Sequence, residues 1–597
     1  MTELNFKGKE FVYNHHLTVP FRPLVPHAEK GIGPIALGGN LIIQGDNLHA
    51  LKALLPMYAG KVDCIFIDPP YNTGNAGWSY NDNVNAPMIK EWMNAIPIGI
   101  EDGLRHDKWC AMMWPRLRLL YELLSENGSL WMTLDDNEVH RGRCLLDEIF
   151  GEECSVGQIA WQKRTSRENR ATLSPSIDHV LVYSKPLPET WKLRRNLLSP
   201  TTDGYSNPDK DPNGEWASIP FSAQGFRKDQ VYPITTPTGV VHRPPKGRCW
   251  GATEPEFEKY KLKNLVYWPK NGNGKPRIKQ YPETAKGLVP STLWFSSEVG
   301  TTELSKKELM EIFSDKEALD FHAPKPPKLI QRVIEIATTS DSLVLDSFAG
   351  TGSTAHAVLA QNQIDGGRRN FIIAEMEHYA DELTAERVRR VIGGYTFNGT
   401  QKTELLREKV GWRTLEKPNR LREKVEAIES LHGHEYDRIK KDVKDDELIV
   451  TGEKSVKVKT EGLGGSFTYC TLGDPVEMDA VLSGKNLPAY EALASVLFNT
   501  ATGQAFDPAQ FDEAKSYLGE VAGRHVWLLY RPDMEWLKSP DAALTLARAK
   551  AIADSDKQAS HLVFAPARYV SQKMLSDEKL RVEFAPLPFA LYRVERT

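Results

Sequence analysis

The sequence has few cysteines, no long apolar run and no excess of positive charge. Its six cysteines include no C-x-x-C pair, so neither a zinc site nor a disulfide framework is indicated, and a reducing compartment is expected. No signal peptide and no apolar stretch of transmembrane length is recognised, which predicts a cytoplasmic protein without membrane contact. Lysine and arginine number 75 against 79 acidic residues, a net charge of −4, so nucleic-acid binding would have to come from local clusters.

Several catalytic signatures are also missing. There is no G-x-x-x-x-G-K-[ST] phosphate loop, no helicase motif and no nuclease constellation, so we expect a chain that neither hydrolyses ATP nor cuts nucleic acid. Histidines near the N-terminus have no carboxylate or cysteine at metal-ligand spacing, and no metal is expected. The length of 597 residues predicts two to four domains.

The first feature that suggests a chemical function is a buried strand that ends at an acidic residue. Residues Val62–Ile67 are short and largely apolar, which predicts a central strand covered on both faces. Asp68-Pro69-Pro70-Tyr71 follows, and the prolines end the strand because they lack N–H groups and fix φ. The Asp68 carboxylate and the Tyr71 ring should therefore stand at the carboxyl end of the strand, where open α/β sheets place their chemistry. The alternative is a proline-terminated turn without a chemical role.

An acid, a peptide carbonyl and an aromatic ring within four residues suit the recognition of an exocyclic amine on a nucleobase. The amine lone pair is delocalised into the base, so the nitrogen is a poor nucleophile until acceptors such as Asp68 and the Pro69 carbonyl hold its hydrogens. Tyr71 can then stack on the extruded base. This stretch resembles the catalytic motif of amino-methylating DNA methyltransferases, whose aspartate form is typical of adenine-N6 enzymes and whose serine form is frequent in cytosine-N4 enzymes.

A second strand-to-loop junction lies much later in the chain. Leu343 to Asp346 reads as a strand, and Ser347-Phe348-Ala349-Gly350-Thr351-Gly352 is a glycine-rich turn before a helix from Ser353. The glycines allow close approach to a ligand and direct helix N–H groups toward it. With two glycines instead of the three of a dinucleotide fingerprint, the turn resembles an S-adenosylmethionine loop. The next strand ends at Glu375, an acid suited to gripping ribose hydroxyls.

The order of the two motifs, catalytic first, resembles the β group of amino-methyltransferases, to which the modification subunits of type III restriction–modification systems belong. The resemblance spans residues 39–393 and implies a Rossmann-like, seven-stranded α/β sheet in permuted order, with S-adenosylmethionine as cofactor. It further implies double-stranded DNA as substrate, a homodimer, and a separate ATP-dependent restriction subunit. The implied catalytic residues are Asp68, Pro69, Pro70 and Tyr71, and the implied cofactor-binding residues are Asp46, Asp68, Asn72, His322, Lys325, Asp346, Phe348, Gly350, Thr351, Gly352, Ser353 and Glu375.

Two of these assignments have a specific alternative or a departure from the family pattern. Asp46 stands before a helix from Leu48, so it could serve as a helix N-cap instead of approaching the cofactor. Phe321 to Pro326 resembles the family's His-Pro-x-x-Lys-Pro stretch, but Ala323 replaces the usual proline after histidine. This departure weakens the assignment of His322 more than that of Lys325.

Local basic clusters supply the candidates for DNA contact. Residues 162–170 carry a net charge of +3 beside Trp161, which suits phosphate binding, although a solvated loop without a partner is the alternative. A second basic stretch lies in a region without clear periodicity that is rich in proline, glycine and tyrosine. The candidates are Lys163, Arg164, Arg167, Arg170, Arg243, Lys246 and Arg248.

These features predict an N-terminal extension (1–40), a catalytic half (41–185), a target-recognition region (186–290), a cofactor-binding half (291–395), a helical linker or partner region (396–462) and a C-terminal α/β domain (463–597). The helices of the linker could equally pack on the body of the chain. The predicted function is site-specific adenine-N6 methylation of duplex DNA. The alternatives are a cytosine-N4 methyltransferase and a DNA-recognition subunit without turnover.

Overall fold

The computed structural model describes residues 3–73, 103–168, 171–199, 205–282, 287–315, 324–411, 418–444, 446–475 and 487–587. The chain divides into two compact units. One comprises Met1–Arg195 together with Ser291–Thr597, and the other is Asn196–Pro290. No helix in the described ranges is long and apolar enough to cross a membrane.

The strands are numbered in chain order. They are β1 (Leu24–Ile32), β2 (Leu41–Gln44), β3 (Val62–Ile67), β4 (Leu124–Leu134), β5 (Ser155–Gln162), β6 (Ile177–Ser184), β7 (Tyr205–Ser206), β8 (Trp216–Pro220), β9 (Ser222–Gln224), β10 (Ile234–Thr235), β11 (Val241–His242), β12 (Arg248–Trp250), β13 (Val266–Tyr267), β14 (Arg277–Gln280), β15 (Leu293–Trp294), β16 (Leu343–Asp346), β17 (Asn370–Glu375), β18 (Gly394–Lys409), β19 (Arg438–Lys444), β20 (Glu447–Glu461), β21 (Phe467–Leu472), β22 (Tyr517–Val521), β23 (Arg524–Leu528), β24 (Ala543–Leu544), β25 (Ser560–Ala565), β26 (Ala567–Arg568) and β27 (Val582–Pro586).

The helices are numbered in the same way. They are α1 (Lys9–Val12), α2 (His15–Thr18), α3 (Asn47–Tyr58), α4 (Arg105–Leu123), α5 (Val139–Phe150), α6 (Pro188–Lys192), α7 (Glu254–Leu262), α8 (Ser296–Val299), α9 (Thr302–Ile312), α10 (Pro327–Ala337), α11 (Ser353–Asp365), α12 (Glu386–Gly393), α13 (Pro418–His432), α14 (Tyr490–Thr502), α15 (Met534–Lys538), α16 (Leu546–Ser555) and α17 (Gln572–Asp577).

A ten-stranded sheet organises the larger unit, in the order β1-β21-β2-β17-β16-β3-β4-β6-β5-β15. The seven consecutive strands from β2 to β5 form the predicted sheet, in which β6 runs antiparallel to both of its neighbours and the other pairs are parallel. The first motif strand, β3, therefore lies beside β16, which comes much later in the chain. This permuted order confirms the predicted fold class, while β1, β21 and β15 extend the sheet beyond seven strands.

The burial of their apolar side chains explains why β3 forms a central strand of the sheet and why α10 packs on the protein core. In β3, Cys64 to Ile67 are at most 1% exposed, as the apolar run predicts for a strand with neighbours on both sides. The helix α10 begins with Pro327 in its first turn, where a missing N–H group costs nothing, and buries Leu329, Ile330 and Val333. The motif-bearing strand ends are thus fixed within a rigid core.

The smaller unit, residues 196–290, consists of short strands. A four-stranded sheet has the order β13-β14-β8-β7, and two antiparallel pairs of strands, β10-β11 and β12-β9, accompany it. Its apolar core gathers Phe221, Trp250 and Phe257. Buried Lys279 is paired with Asp209 at 2.6 Å and with Asp211. The loss of clear periodicity in the sequence reflects strands too short to show one.

The prediction of helices across residues 396–462 is largely wrong. Residues Gly394–Lys409 form the strand β18, which pairs with β20 in a three-stranded sheet with β19, and among the described residues of this range only Pro418–His432 is helical. Leu405 and Leu406 of β18, and Val410 just after it, pack against a small apolar core that includes Val425 of α13. The pairing of β18 with β20 is non-local, so local spacing could not reveal it.

The predicted boundary at residue 463 also needs correction. β21 inserts between β1 and β2 in the central sheet and is therefore part of the main body. Residues 487–587 build a separate four-stranded sheet, β22-β23-β25-β27, with α14 contributing to one apolar core and α16 to another. Its strands β23 and β25, together with these helices, give the α/β character that was predicted for the C-terminal domain.

Candidate active site

The two sequence motifs meet at one edge of the central sheet. β3 and β16 are parallel neighbours, with Leu345 opposite Ile65, so their carboxyl ends open on the same side. A single cavity is lined by Asp68 from the first motif and by Asp346, Phe348 and Gly350 from the second. The geometry therefore brings together groups that lie far apart in the chain.

The Asp68 carboxylate is oriented from two directions. Its Oδ1 accepts a hydrogen bond of 2.5 Å from the hydroxyl of Thr133, a fully buried residue of β4. Its Oδ2 accepts from Lys325 Nζ at 2.6 Å. The Asp68 side chain nevertheless remains 24% exposed. Because each carboxylate oxygen has two lone pairs, Asp68 keeps acceptor capacity for a further donor.

The Tyr71 ring lies beside this carboxylate. Its hydroxyl donates to Asp178 Oδ2 at 3.4 Å, and Lys325 Nζ stands 4.8 Å from the ring centroid. Burial, followed by the charges of Asp68 and Asp178, raises the pKa of Tyr71 well above its usual value. Tyr71 is thus a neutral phenol at any physiological pH.

The residues around Tyr71 fix the backbone of the loop. Trp109 Nε1 donates to the Pro70 carbonyl at 2.7 Å, and Pro69 is buried. Asn72 has a positive φ of 55°, and its Nδ2 donates to the fully buried Glu138 at 2.5 Å. Asn72, predicted to bind the cofactor, is therefore held by the acid that precedes α5, and its role toward a ligand stays a prediction.

Two acidic side chains, one before the glycine-rich loop and one at the end of the neighbouring strand, hydrogen-bond to the loop. Asp346 accepts from the Phe348 N–H group at 2.9 Å and from the Thr354 hydroxyl at 2.5 Å. Burial raises the pKa of Asp346 to about 7, although these two hydrogen bonds act in the opposite direction. Glu375, at the end of β17, accepts from the Gly350 N–H group at 2.7 Å, and burial raises its pKa as well.

A buried arginine behind this loop escaped the sequence prediction. Arg387 of α12 is 0% exposed and donates to the hydroxyls of Thr351 and Ser353, each at 2.8 Å. Burial lowers its pKa. Thr384, one turn earlier, donates to the Gly350 carbonyl at 2.6 Å. In the sequence, Arg387 is simply an arginine among the apolar positions of a helix. An arginine side chain is normally expected to face solvent, so the sequence did not identify Arg387 as a site residue.

Replacing Arg387 with methionine is expected to lower the free energy of unfolding by roughly 2–4 kcal/mol, because buried hydroxyls of the loop lose their donor. Chemical denaturation measures this directly. Arg422→Met is the matched control, since Arg422 is 78% exposed and pairs with Glu426 on the surface of α13. That change should cost at most about 0.5 kcal/mol. Equal losses for the two variants would contradict the assigned role of Arg387.

Asp46 acts as a helix cap in this structure. Its Oδ1 accepts from the Leu48 N–H group at 2.8 Å and pairs with the buried Arg116 at 3.2 Å. Arg116 also donates to Asn47 Oδ1, and Asn47 in turn donates to the Ser347 carbonyl at 2.8 Å. Asp46 thereby supports the second motif through Asn47, and direct contact with a cofactor stays a prediction.

The basic candidates fall into different environments. Lys163 is drawn inward, with Nζ 2.6 Å from Asp178 Oδ1, whereas Arg164 pairs with Glu168 at 3.3 Å near the surface. Arg167 is exposed. In the smaller unit Arg243 and Lys246 are exposed, and Arg248 donates to the Ser222 carbonyl at 2.9 Å. Arg170 and His322 lie outside the described residues.

Comparison with known proteins adds a family match. A model described as "DNA methylase" matches residues 62–386, a span that includes both motifs. The Mod subunit of the type III restriction-modification enzyme StyLTI of Salmonella typhimurium is 32% identical over 416 residues, covering 65% of this chain and 62% of that one. The EcoPI Mod subunit of Escherichia phage P1 is 28% identical over 455 residues, covering 66% and 68%.

The chain thus spans about three fifths to two thirds of the length of these relatives. Among solved structures, the PvuII DNA methyltransferase (cytosine-N4-specific) matches with a TM-score of 0.30 and 14% identity over 58% of this chain and 86% of that one. Within the described residues, no group of three or more histidine, cysteine, aspartate or glutamate side chains is arranged to hold a metal ion.

Proposed function

The chain belongs to the DNA methylase family, whose model it matches over residues 62–386, and from this premise we propose that it is an S-adenosylmethionine-dependent DNA methyltransferase acting on adenine N6. One observation carries the proposal. The Asp68 carboxylate and the glycine-rich loop after Asp346 line one cavity at the end of adjacent parallel strands, and the Tyr71 ring lies beside Asp68. A methyl donor and a target amine held by these loops would meet there.

The residues present fit the proposed cofactor. Glu375 closes β17 with a buried carboxylate, which suits two ribose hydroxyls, and Phe348 supplies an apolar wall. Within the described part of the chain, Ser347 Oγ is buried without a hydrogen-bond partner beside this loop. Asp346, Gly350, Thr351, Gly352, Ser353 and Lys325 complete the candidate contacts. When bound, S-adenosylmethionine supplies an electrophilic methyl group on a sulfonium.

The protein side of the reaction follows from the chemistry of the amine. Asp68 and the Pro69 carbonyl would accept the two N6 hydrogens, which localises the nitrogen lone pair toward the methyl group. Tyr71 would stack on the extruded base. The N6 proton released on transfer can leave by way of the Asp68 carboxylate, which is partly exposed to solvent. A single in-line displacement needs no covalent intermediate with the protein.

The site residues and domain roles beyond this core belong to the same proposal. Residues 196–290 would read the target sequence, and exposed Arg243 and Lys246 are candidates for phosphate contact. The similarity to Mod subunits of type III restriction-modification enzymes supports a separate restriction subunit as partner. A homodimer and a cytoplasmic location belong to the same proposal. The aspartate of the catalytic motif favours adenine, and cytosine N4 is the alternative target within the same family.

Modified-base sequencing tests the proposal in one experiment. The chain is expressed alone in a bacterial strain that lacks its own DNA methyltransferases, and the genome is sequenced by a method that detects methylated bases. We expect N6-methyladenine at one short recognition sequence. N4-methylcytosine would correct the target base, and an unmodified genome despite soluble protein would refute the proposal.

Thr133→Val tests how Asp68 is oriented. The substitution keeps the volume of the buried side chain and removes the hydroxyl that donates to Asp68 Oδ1 at 2.5 Å. We expect kcat for methyl transfer to fall about 10-fold, with an unchanged KM for S-adenosylmethionine, because only the acceptor geometry is disturbed. Thr500→Val in α14, which removes a hydroxyl bonded to the Val496 carbonyl, is the control and should leave kcat unchanged. A kcat for Thr133→Val within twofold of the unmodified chain would contradict the assignment.

A further inference from the structure

A buried carboxylate on the far side of Tyr71 has no role in the function proposed so far. Asp178 lies near the start of β6, opposite Trp161 of β5, and is 3% exposed. Its Oδ2 accepts from the Tyr71 hydroxyl at 3.4 Å, and its Oδ1 accepts from Lys163 Nζ at 2.6 Å. Asp178 therefore joins the catalytic loop to the edge of the sheet.

Lys163 is built into this position by its backbone. Its N–H group donates to the Ser176 carbonyl at 3.0 Å, and its carbonyl accepts from the Thr302 N–H group at 3.1 Å. The side chain is 17% exposed, so the ammonium is largely withdrawn from solvent. Because its ammonium group is largely buried, Lys163 is poorly placed to contact a phosphate. It is well placed to act as the counter-ion of Asp178.

The site holds two carboxylates and two ammonium groups around one phenol. Lys325 pairs with Asp68 at 2.6 Å, as Lys163 pairs with Asp178 at the same distance. Burial raises the pKa of Asp178, and the charges of Lys325 and Lys163 act against this rise. The four charges balance, whereas the loss of Asp178 would leave an ammonium without its partner in a buried site.

We infer that Asp178, held by Lys163, is a positioning residue that sets the ring of Tyr71 through its hydroxyl. The inference rests on the proposed function, because Tyr71 matters only if it stacks on a target base. The 3.4 Å contact is long for an O–H···O hydrogen bond, and contacts of this kind often tighten only when the substrate is bound. Asp178 thus offers the phenol a fixed acceptor on the side away from Asp68, and this contact orients the ring when a base is in place.

The test is a double-mutant cycle on the full chain with duplex DNA. Asp178→Asn and Tyr71→Phe should each lower kcat about 10- to 100-fold, since a misplacement of about 1 Å can cost this much, with an unchanged DNA dissociation constant. The double variant Y71F/D178N should be no slower than the slower single variant, because both changes remove the same contact. Lys163→Met should likewise lower kcat and leave the salt dependence of DNA binding unchanged.

Glu148→Gln is the matched control. Glu148 is a similarly buried carboxylate, 2.8 Å from Lys9, in a cluster that does not touch the candidate site. Its loss should reduce stability as Asp178→Asn does, while kcat remains that of the unmodified chain. If both variants lower kcat equally, the effect of Asp178 is one of folding, and the inference is wrong.

A second measurement does not depend on activity. The chain is labelled with ¹³Cζ-tyrosine, and the Tyr71 signal is assigned by its disappearance in Tyr71→Phe. Asp178→Asn and Lys163→Met should shift this signal and Glu148→Gln should not. An unmoved signal, or kcat losses that multiply in the double variant, would overturn the inference. If the unmodified chain transfers no methyl group, the proposed function fails, and the tyrosine signal still decides whether Asp178 holds Tyr71.

Discussion

Replacing Asp68 with alanine is expected to reduce methyl incorporation into duplex DNA by about 10³-fold or more, because the acceptor that activates the amine is lost from a preorganised site. The carboxylate is held by Thr133 at 2.5 Å and Lys325 at 2.6 Å, so its position is fixed by the protein before a substrate binds. Methyl transfer from labelled S-adenosylmethionine measures the effect, and calorimetry measures cofactor binding in parallel.

Two further variants separate the chemistry from folding. Asp68→Asn keeps the size of the side chain but offers one acceptor oxygen, and it should be nearly as inactive as the alanine variant. Asp63→Asn lies at the opposite end of the same strand, where Asp63 accepts from the Leu343 N–H group at 3.0 Å, and it should keep full kcat. The role of Asp68 is refuted if its alanine variant retains methylation, or if its loss of activity merely follows a loss of cofactor binding.

Gly352→Ala is expected to weaken S-adenosylmethionine binding by roughly 10- to 100-fold. Gly352 has a φ of 78°, and an added Cβ would lie 3.1 Å from the Thr384 carbonyl oxygen. The positive φ costs an alanine about 1–2 kcal/mol, and relief of the contact would move the loop away from Thr384, which bonds the Gly350 carbonyl. The cofactor dissociation constant, measured by calorimetry on the full chain, checks the prediction.

Gly366→Ala is the control at the other end of the same helix. Gly366 has a φ of 68°, but a Cβ there meets no atom within 4 Å. Both variants therefore bear the backbone cost, and only the Gly352 variant disturbs the loop. Similar cofactor affinities in the two variants would show that the close approach at Gly352 does not shape the binding site.

The convergence of the two motifs could be predicted because it depends on a general rule of parallel sheets. Asp68 and Asp346 each follow a short apolar strand, and such strand ends share one edge when the strands are neighbours. The rule needs only the local patterns around Val62–Ile67 and Leu343–Asp346. The placement of Glu375 at the end of the next strand follows in the same way.

Contacts across non-local pairings could not be predicted. Lys163 looked like part of a basic loop because its partner, Asp178, is brought beside it only by the register of β5 and β6. Arg387 acquires its role from the packing of α12 behind the glycine-rich loop. The strand β18 was mistaken for helix because its partner β20 lies beyond the intervening α13 and β19. The residues next to Lys163, Arg387 and β18 in the sequence give no indication of these distant partners.

Small polar residues at element ends were ambiguous for a different reason. Asp46 stands where a helix cap and a ligand contact have the same sequence pattern, and Asn72 stands in a loop where an amide can bind either a ligand or the protein itself. The structure shows the cap for Asp46 and a bond to Glu138 for Asn72. Side-chain direction, which composition and spacing do not encode, decides between the two roles.

The most direct test of the central claim is the identity of the nucleoside that receives the methyl group. The purified full chain is incubated with duplex DNA and S-adenosylmethionine labelled on its methyl group, and the DNA is digested to nucleosides and analysed by mass spectrometry. We predict labelled N6-methyldeoxyadenosine with the unmodified chain and about 10³-fold less, or none, with Asp68→Ala. Label on a ring carbon, or equal labelling by the two proteins, would contradict an amine held at Asp68 beside the methyl donor.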